Sequence, residues 1–230
     1  MSLLPAAVLF LATHLGLSST PLRGRLVVVL GERGFLAFYS LIAIGTLSYL
    51  IWLYNDLPRF EYLWTPSPEL YLAAKLLMPL ALILAVGSFL VKNPTMVGAE
   101  RLLEAGPDGD GGEPARGVIR ITRHPFQWGA LIWAVAHMLA NGDSHSVVFF
   151  SSFLLLSGLG TVLMDQRKAA ALGGRWTAYA AVTSNLPFAA ILAGRNRLVL
   201  RELILPVALG LLLYAGLYYG HQWVGGVRLY

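Results

Sequence analysis

Between residues 70 and 91 the chain contains Leu70-Tyr-Leu-Ala-Ala-Lys75-Leu-Leu-Met-Pro-Leu80-Ala-Leu-Ile-Leu-Ala85-Val-Gly-Ser-Phe-Leu-Val91, and this stretch decides the fold class. Lys75 is its one charged residue. A membrane-spanning α-helix needs roughly 20 mainly apolar residues, because the hydrocarbon core of a bilayer is about 30 Å thick. The stretch therefore predicts a transmembrane helix.

The composition extends this prediction to the rest of the chain. Hydrophobic residues make up 57% of the 230 residues and charged residues 13%, whereas soluble domains carry about 25% charged residues. We predict an all-α, polytopic membrane helix bundle with about six spans. The bundle should form a single integral membrane domain over residues 1–230. Its expected partner is the lipid bilayer. The first apolar run, Leu3–Ser18, has no basic residues before it, and we expect it to be retained rather than cleaved as a signal peptide. The other candidate spans are Leu3–Ser18, Phe35–Tyr54, Phe126–Ala140, Val147–Met164 and Leu198–Tyr219.

The positive charges predict the orientation of the bundle. Basic residues concentrate in alternate loops, and such loops usually face the cytoplasm. Both termini should then lie on the outer side, in a bacterial inner membrane. The net charge of +5 does not indicate a nucleic-acid partner, because membrane topology accounts for these residues. The residues concerned are Arg23, Arg25 and Arg33, then Lys92, Arg101, Arg116, Arg120 and Arg123, then Arg167, Lys168, Arg175, Arg195 and Arg197.

Two cytoplasmic segments are expected to differ from the spans. Residues at about 105–116 are rich in glycine, proline and aspartate, so they cannot bury much apolar surface and should form a mobile loop. Residues at about 165–197 predict an amphipathic or re-entrant segment. The apolar run 178–192 within it is interrupted by Thr183-Ser184-Asn185 and Pro187, and the sequence leaves open whether it spans the membrane.

His14 and His137 are the strongest candidates for a functional site. Each lies in an apolar run, and an ionisable side chain at membrane depth is usually functional. On separate helices they could bind one metal or haem iron from opposite faces, although a structural histidine bonded to a neighbouring helix is the simpler alternative. The chain has no cysteine, so a thiolate ligand or nucleophile is excluded and a zinc site is harder to assemble.

Arg123-His124-Pro125 is the third candidate. Arg120, Arg123 and His124 crowd the expected start of a helix, where Pro125 suits the first turn. Helix N-termini and arginines both favour anions, so a haem propionate, a lipid phosphate or the carboxylate of a methyl donor would fit. The alternative is a plain topology anchor.

Several motifs together resemble the NnrU family, and the resemblance runs nearly from end to end. NnrU proteins are bacterial inner-membrane proteins associated with denitrification, in the expression or activity of nitrite and nitric oxide reductases. The family includes the zeta-carotene isomerase, a haem b enzyme that turns a central cis double bond to trans. The motifs are His14-Leu-Gly-Leu-Ser-Ser-Thr-Pro-Leu-Arg23, Gly31-Glu-Arg-Gly-Phe35, Tyr39-Ser40, Lys92-Asn-Pro-Thr95, Ile119-Arg-x-x-Arg123-His-Pro-Phe126-x-x-Gly129, Ala136-His137 and Arg195-Asn196-Arg197.

This resemblance implies a haem b with His14 and His137 as its iron ligands, and His124 matches a further histidine of the family. Arg123 and His124 would then support the cofactor, for example at a propionate. The implied functions are isomerisation of a hydrophobic polyene by haem redox chemistry or a role beside a membrane reductase. In the isomerase a cysteine precedes the second ligand by three positions, where this chain has Ala134, so a thiolate-based switch is impossible here.

Two further functions stay open. Arg123-His-Pro-x-x-x-Gly129 followed by Asp165 is similar to a motif of membrane methyltransferases that act on isoprenylcysteine and phospholipids. That similarity implies S-adenosylmethionine as an alternative cofactor, although the acidic pair of those enzymes is Asp165-Gln166 here. The last possibility is a non-enzymatic assembly factor for a reductase.

Overall fold

The computed structural model describes residues 2–96, 99, 101–104 and 115–229. Every regular element among these residues is an α-helix or a 3₁₀ turn, which confirms the predicted all-α class. The expected mobile loop at about 105–116 lies outside the described residues, apart from Ala115 and Arg116 at its end.

The described residues form the following elements in chain order. The α-helices are α1 (Leu4–Ser19), α2 (Pro21–Asp56), α3 (Pro68–Phe89), α4 (Arg101–Glu104), α5 (Pro125–Asn141), α6 (Ser144–Leu172), α7 (Gly174–Val182), α8 (Ala189–Leu192) and α9 (Ile204–Val224). The 3₁₀ turns are Gly117–Arg120, before α5, and Leu200–Leu203, before α9.

Four helical stretches in the described part of the chain are long and apolar enough to cross a membrane. They are α2, α3, α6 and the stretch 200–224 that contains α9. The apolar helix α1 is shorter, at 16 residues, and α5 has 17. The protein is therefore a helical membrane protein, while the total of six spans and the outward position of both termini stay predictions.

The first basic segment is helical, where the sequence suggested a loop. Pro21 stands in the first turn of α2 and the hydroxyl of Thr20 accepts a hydrogen bond from the Leu22 amide, so the helix begins directly after α1. Gly31 interrupts α2 with φ 70° and ψ 165°, a conformation that is accessible mainly to glycine. Arg23 and Glu32 form an ion pair of 2.6 Å across this break.

The first half of the segment 165–197 is helical. Helix α6 continues through Leu172, and α7 begins after the single residue Gly173. Trp176 and Tyr179 on α7 are buried in a core cluster with Ala115 and Ile119. Run 178–192 contains only the end of α7 and the four-residue α8, neither of which is long enough to cross a bilayer.

The chain divides into two compact units, which are described separately. Unit 1 comprises residues 1–74 and 134–163, and unit 2 comprises residues 75–133 and 164–230. In unit 1, the turn between α5 and α6 requires Gly142, which has φ +72° and whose added Cβ would collide with the Trp64 carbonyl. In unit 2, α5 approaches α3 at Gly129, where a Cβ would stand 2.7 Å from the Ala81 carbonyl oxygen. The single domain over 1–230 stays a prediction.

Candidate functional site

His14 lies on α1, one helical turn after Phe10. Its Nδ1 is 2.8 Å from the carbonyl oxygen of Phe10, and its ring lies 4.2 Å from the Phe10 ring and 6.1 Å from that of Tyr39. A carbonyl oxygen only accepts, so Nδ1 carries the hydrogen and donates it. The neutral ring then presents a lone pair on Nε2, which is the atom that a neutral imidazole offers to a metal or a proton.

His137 lies on α5, in the same unit as His14. Its ring stacks on Phe150 of α6 with centroids 4.9 Å apart and an angle of 30° between the planes. Ala134, one helical turn earlier, is fully buried. Stacking on one face fixes the plane of the imidazole, so its polar contacts are made at the ring edge, where both nitrogens lie.

A continuous series of aromatic rings joins the two histidines. From Phe10 beside His14, successive centroids lie 5.3 Å apart to Phe153, 5.1 Å to Phe149 and 5.1 Å to Phe150, which stacks on His137. We call Phe10, Phe149, Phe150 and Phe153 the aromatic cluster. Phe149 and Phe153 are one turn apart on α6, so both can face α1 from the same side of the helix. Unit 1 therefore places both predicted ligands against one apolar, ring-lined region.

Arg123 lies in unit 2, two residues before α5 begins. Its Nε donates to both carboxylate oxygens of Asp165 at 3.0 Å, and its Nη2 donates to Oδ2 at 2.7 Å. The remaining nitrogen, Nη1, lies 3.3 Å from the Thr183 carbonyl oxygen. All three guanidinium nitrogens thus have partners within the protein, and the pair is largely buried, at 14% and 18% side-chain exposure.

His124 is completely buried and shares the same carboxylate. Its Nε2 lies 2.6 Å from Asp165 Oδ1, and its Nδ1 has no hydrogen-bond partner among the described residues. Burial, which disfavours the imidazolium, lowers the pKa of His124 and outweighs the opposing effect of Asp165. The ring is therefore neutral near pH 7, with Nε2–H donating to Asp165 and a buried lone pair on Nδ1.

Further buried polar groups surround this ion pair. The Lys168 ammonium, 1% exposed, donates to the Pro94 carbonyl at 2.6 Å. Burial raises the pKa of the Tyr179 hydroxyl. The Tyr179 oxygen and Asn93 Nδ2 are buried without a hydrogen-bond partner among the described residues. We call Asn93, Arg123, His124, Asp165 and Tyr179 the buried polar network. Its atoms without a partner among the described residues are one acceptor, His124 Nδ1, and two groups that can donate, the Tyr179 hydroxyl and the Asn93 amide.

The break after α7 positions this network. The Arg123 amide donates to the Ser184 carbonyl at 2.9 Å, and the Phe188 amide donates to the Ile121 carbonyl at 2.8 Å. The Trp128 indole donates to the Asn185 carbonyl at 2.9 Å. Thr183-Ser184-Asn185, which interrupts the apolar run, therefore serves as a backbone partner for the segment that carries Arg123 and His124.

The structure thus groups the predicted site residues in pairs. His14 and His137 lie in unit 1, and Arg123 and His124 converge on Asp165 in unit 2. Support of a cofactor by Arg123 and His124 stays a prediction. The aromatic cluster and Trp128 were not predicted from the sequence, although the i, i+4 spacing of Phe149 and Phe153 is a helical signal that could have indicated the cluster. Among the described residues, no three His, Cys, Asp or Glu side chains gather as metal ligands.

Comparison with known proteins places the chain in a family. The family model described as NnrU protein matches residues 2–229. The chain belongs to the NnrU family. The motifs around His14, Arg123 and His137 are thus motifs of an NnrU protein.

Two curated relatives of this NnrU protein are plant enzymes. It is 37% identical over 82 residues to the chloroplastic 15-cis-zeta-carotene isomerase of Zea mays, and these residues are 36% of the chain and 22% of that enzyme. It is 32% identical over 114 residues to the chloroplastic 15-cis-zeta-carotene isomerase of Arabidopsis thaliana, which covers 48% of the chain and 31% of that enzyme. The chain thus spans less than a third of the length of either relative. No solved structure is significantly similar to it.

Proposed function

We propose that this NnrU protein isomerises a cis double bond of a hydrophobic polyene, using a haem b bound by His14 and His137. Its similarity to two 15-cis-zeta-carotene isomerases supports the reaction class. The observation that supports haem as the cofactor is the hydrogen bond from His14 Nδ1 to the Phe10 carbonyl oxygen. Metal-binding histidines commonly donate their second ring N–H to a carbonyl oxygen, which fixes the tautomer and orients the ligand nitrogen.

The residues of unit 1 fit a haem better than another metal centre. A haem would need only one or two side chains of the protein to hold it, and histidine is a common one. A zinc or di-metal site would need three or four donors, and the described residues hold no such cluster. Ala134 replaces the cysteine of the resembling isomerase, so the ligands available are imidazoles.

The aromatic cluster supplies the surroundings that a polyene requires. A conjugated chain is flat and apolar, and ring faces such as those of Phe149 and Phe153 bury it without unpaired polar groups. The hydrogen bond from His14 Nδ1 to the Phe10 carbonyl oxygen fixes the tautomer and the orientation of the imidazole. When bound, haem supplies reversible electron exchange with a conjugated substrate, which lowers the bond order of one double bond and lets it rotate. Exclusion of water by the cluster protects such a reaction from side products.

Methyl transfer from S-adenosylmethionine is the second candidate, because one observation favours it. Arg123, His124 and Asp165, the residues that it requires, form one hydrogen-bonded network. We rank it second because the three nitrogens of Arg123 already donate to Asp165 and Thr183. A carboxylate of the donor would have to displace these bonds.

The setting of the reaction is also a proposal. We place the protein in the bacterial inner membrane, because its basic residues cluster in alternate segments between the apolar runs, as the positive-inside rule requires. Association with nitrite or nitric oxide reductase, as partner or assembly factor, stays a prediction from the family resemblance. Co-purification from a denitrifying culture would test it independently of the isomerase assay.

The proposal is tested by following isomerisation directly. Purified protein is loaded with haem in detergent, reduced and incubated in the dark with a 15-cis polyene, and the isomers are separated by chromatography. We expect trans product with wild type and a loss of at least about 100-fold with His14→Ala, because loss of a ligand exceeds the effect of losing its hydrogen-bond partner. His221→Ala removes a histidine outside unit 1 and should retain activity. Equal activity of His14→Ala and wild type would contradict the proposal.

A further inference from the structure

Helix α2 is too long to cross a membrane as one straight helix. It has 36 residues, which would make a straight helix about 54 Å long, whereas the hydrocarbon core of a bilayer is about 30 Å thick. The break at Gly31 divides α2 into residues 21–30, which we call the first segment, and residues 32–56, which we call the second segment. The second segment, about 38 Å long as a helix, is sufficient to span the membrane alone.

Two contacts of Arg23 show that the chain changes direction at Gly31. Its Nη2 lies 2.6 Å from Glu32 Oε1, and its guanidinium carbon lies 5.2 Å from the centroid of the Phe35 ring. In a straight helix, residues nine positions apart are separated by about 13 Å along the axis and point to opposite sides. The ion pair therefore requires that the first segment does not continue the axis of the second segment.

The first segment exposes large apolar side chains. Val28 is 86% exposed and Val29 is 79% exposed. Leu22, Arg25 and Val29 share one face of the helix, at the spacing i, i+3, i+7, and Leu22 and Arg25 are also exposed. A contiguous exposed apolar surface indicates contact with a membrane or with another protein.

The charge of the first segment favours a membrane surface as the contact. The sequence Pro-Leu-Arg-Gly-Arg-Leu-Val-Val-Val-Leu contains two arginines and no acidic residue, and the headgroups of anionic phospholipids attract such charges. The stem of Arg25 can lie along the valines while its guanidinium reaches the phosphates. Because α2 is long and apolar enough to cross a membrane, and the second segment suffices for this, the first segment lies beside the bilayer surface.

We propose that the first segment of α2 is a helix that lies in the plane of the membrane surface. Val28 and Val29 contact the acyl chains at the headgroup boundary, and Arg25 binds the phosphates of anionic phospholipids. Gly31 is the position at which the chain turns from the membrane surface into the span. This contact requires neither His14 nor His137, so its test is independent of the haem proposal.

Fluorescence quenching in vesicles of phosphatidylglycerol and phosphatidylcholine tests the proposal on the full chain. The chain has no cysteine, so a bimane label can be attached at Val29→Cys, at Ile44→Cys in the middle of the second segment, and at Thr65→Cys in an exposed loop. Lipid with a nitroxide near its headgroup should quench Val29→Cys more strongly than lipid with a nitroxide at the end of its acyl chain. We expect the reverse for Ile44→Cys. Aqueous iodide should quench Thr65→Cys strongly and Val29→Cys weakly.

The role of Arg25 is tested by the charge of the lipid. Quenching of Val29→Cys by the headgroup nitroxide should be stronger in phosphatidylglycerol than in phosphatidylcholine alone. Adding Arg25→Gln should lower the ratio of docked to undocked segment in phosphatidylglycerol about fivefold, as expected for the loss of one charge at a membrane surface. Arg228→Gln removes the same charge far from this segment in the chain and should leave the quenching unchanged.

Three results would overturn the proposal. Iodide quenching of Val29→Cys equal to that of Thr65→Cys would place the first segment in water. Protection of Val29→Cys from both iodide and nitroxide lipids would mean that a second copy or a partner protein covers the valines. Quenching of Arg25→Gln equal to that of Arg25 in phosphatidylglycerol would show that anionic lipid is not recognised there.

Discussion

At the scale of single residues, the partner of one ring nitrogen decides what the other nitrogen can do. His14 donates from Nδ1 to a backbone carbonyl, so Nε2 carries the lone pair. His124 bonds Asp165 through Nε2, so the lone pair lies on Nδ1 in a fully buried position. The first arrangement suits an iron ligand, whereas the second suits a buried proton acceptor or a structural anchor.

The buried His124 makes stability depend on pH. Its folded pKa lies below the unfolded value near 6.5, because burial outweighs Asp165 while Arg123 and Lys168 also oppose protonation. Between these two pKa values the unfolded chain binds the proton and the folded chain does not. The stability contribution is therefore complete above about pH 6.5 and is lost as the pH falls below it. We expect the melting temperature to fall between about pH 7.5 and about pH 5.5.

The variant His124→Gln separates this effect from that of other groups. It should show a smaller fall in melting temperature over the same pH range, whereas His221→Gln should follow wild type. Identical pH profiles for His124→Gln and wild type would show that His124 does not titrate in this way.

The sequence singled out His14, His124 and His137 because polar residues are rare in or beside apolar runs. The resemblance to membrane methyltransferases grouped His124 with Asp165, 41 residues away, but no pattern in the sequence predicted their hydrogen bond, since that contact exists only in the folded chain. The tautomers were also beyond prediction, because they depend on which acceptor the folded backbone presents to each ring.

At the scale of elements, glycine sets how closely two helices approach. A Cβ on Gly129 would stand 2.7 Å from the Ala81 carbonyl oxygen and 3.0 Å from the Ala85 amide nitrogen, both of which are backbone atoms that cannot rotate away. Gly216 has no atom within 4 Å of the same position. The helix that carries Gly129 therefore depends on this glycine, and α9 does not depend on Gly216.

We expect Gly129→Ala to destabilise the protein by about 1–3 kcal/mol, because the two helices must move apart. The matched change Gly216→Ala should be neutral or slightly stabilising, since alanine is the better helix former. Denaturant titration followed by circular dichroism in one detergent compares the two. A loss of stability in Gly216→Ala equal to that in Gly129→Ala would contradict this account of the packing.

Two ion pairs differ in burial and should therefore differ in their contribution to the free energy of unfolding. Arg120 is 3% exposed in its pair with Glu202, while Arg23 and Glu32 are 30% and 56% exposed in theirs. Glu202→Gln leaves a buried guanidinium without its counter-charge and should cost about 1–3 kcal/mol. Glu32→Gln should cost less than about 1 kcal/mol, because water and salt screen that pair.

Thermal unfolding at low and high salt measures both variants. Salt should reduce the small effect of Glu32→Gln and leave that of Glu202→Gln nearly unchanged. An equal loss of stability for the two substitutions would mean that burial of Arg120 does not strengthen its ion pair with Glu202.

The helices themselves were largely predictable, and the connections were not. Apolar runs predicted the spans that α3, α6 and α9 occupy, because length and hydropathy suffice for a membrane helix. From the sequence, Thr183-Ser184-Asn185 could be recognised only as an interruption of the apolar run 178–192. Its role as the hydrogen-bond partner of Thr122 and Arg123 arises from long-range contacts that no local pattern encodes.

At the scale of the whole molecule, the charge pattern predicts the orientation in the membrane. The chain has no cysteine, so single cysteines can be introduced and labelled without background. We expect Thr65→Cys and Val227→Cys to react with a membrane-impermeant maleimide in intact cells, and Ala193→Cys to react only after permeabilisation. Labelling of Ala193→Cys in intact cells would contradict the predicted orientation and indicate the opposite one.

We propose that His14 and His137 bind a haem, and the visible absorption spectrum of detergent-purified protein tests this most directly. The spectrum is recorded oxidised and dithionite-reduced for wild type, His14→Ala, His137→Ala and the control His221→Ala. We predict a Soret band with sharp reduced α and β bands in wild type and His221→Ala, lost or shifted in the other two variants. A wild-type protein that stays colourless after haem addition would contradict the claim.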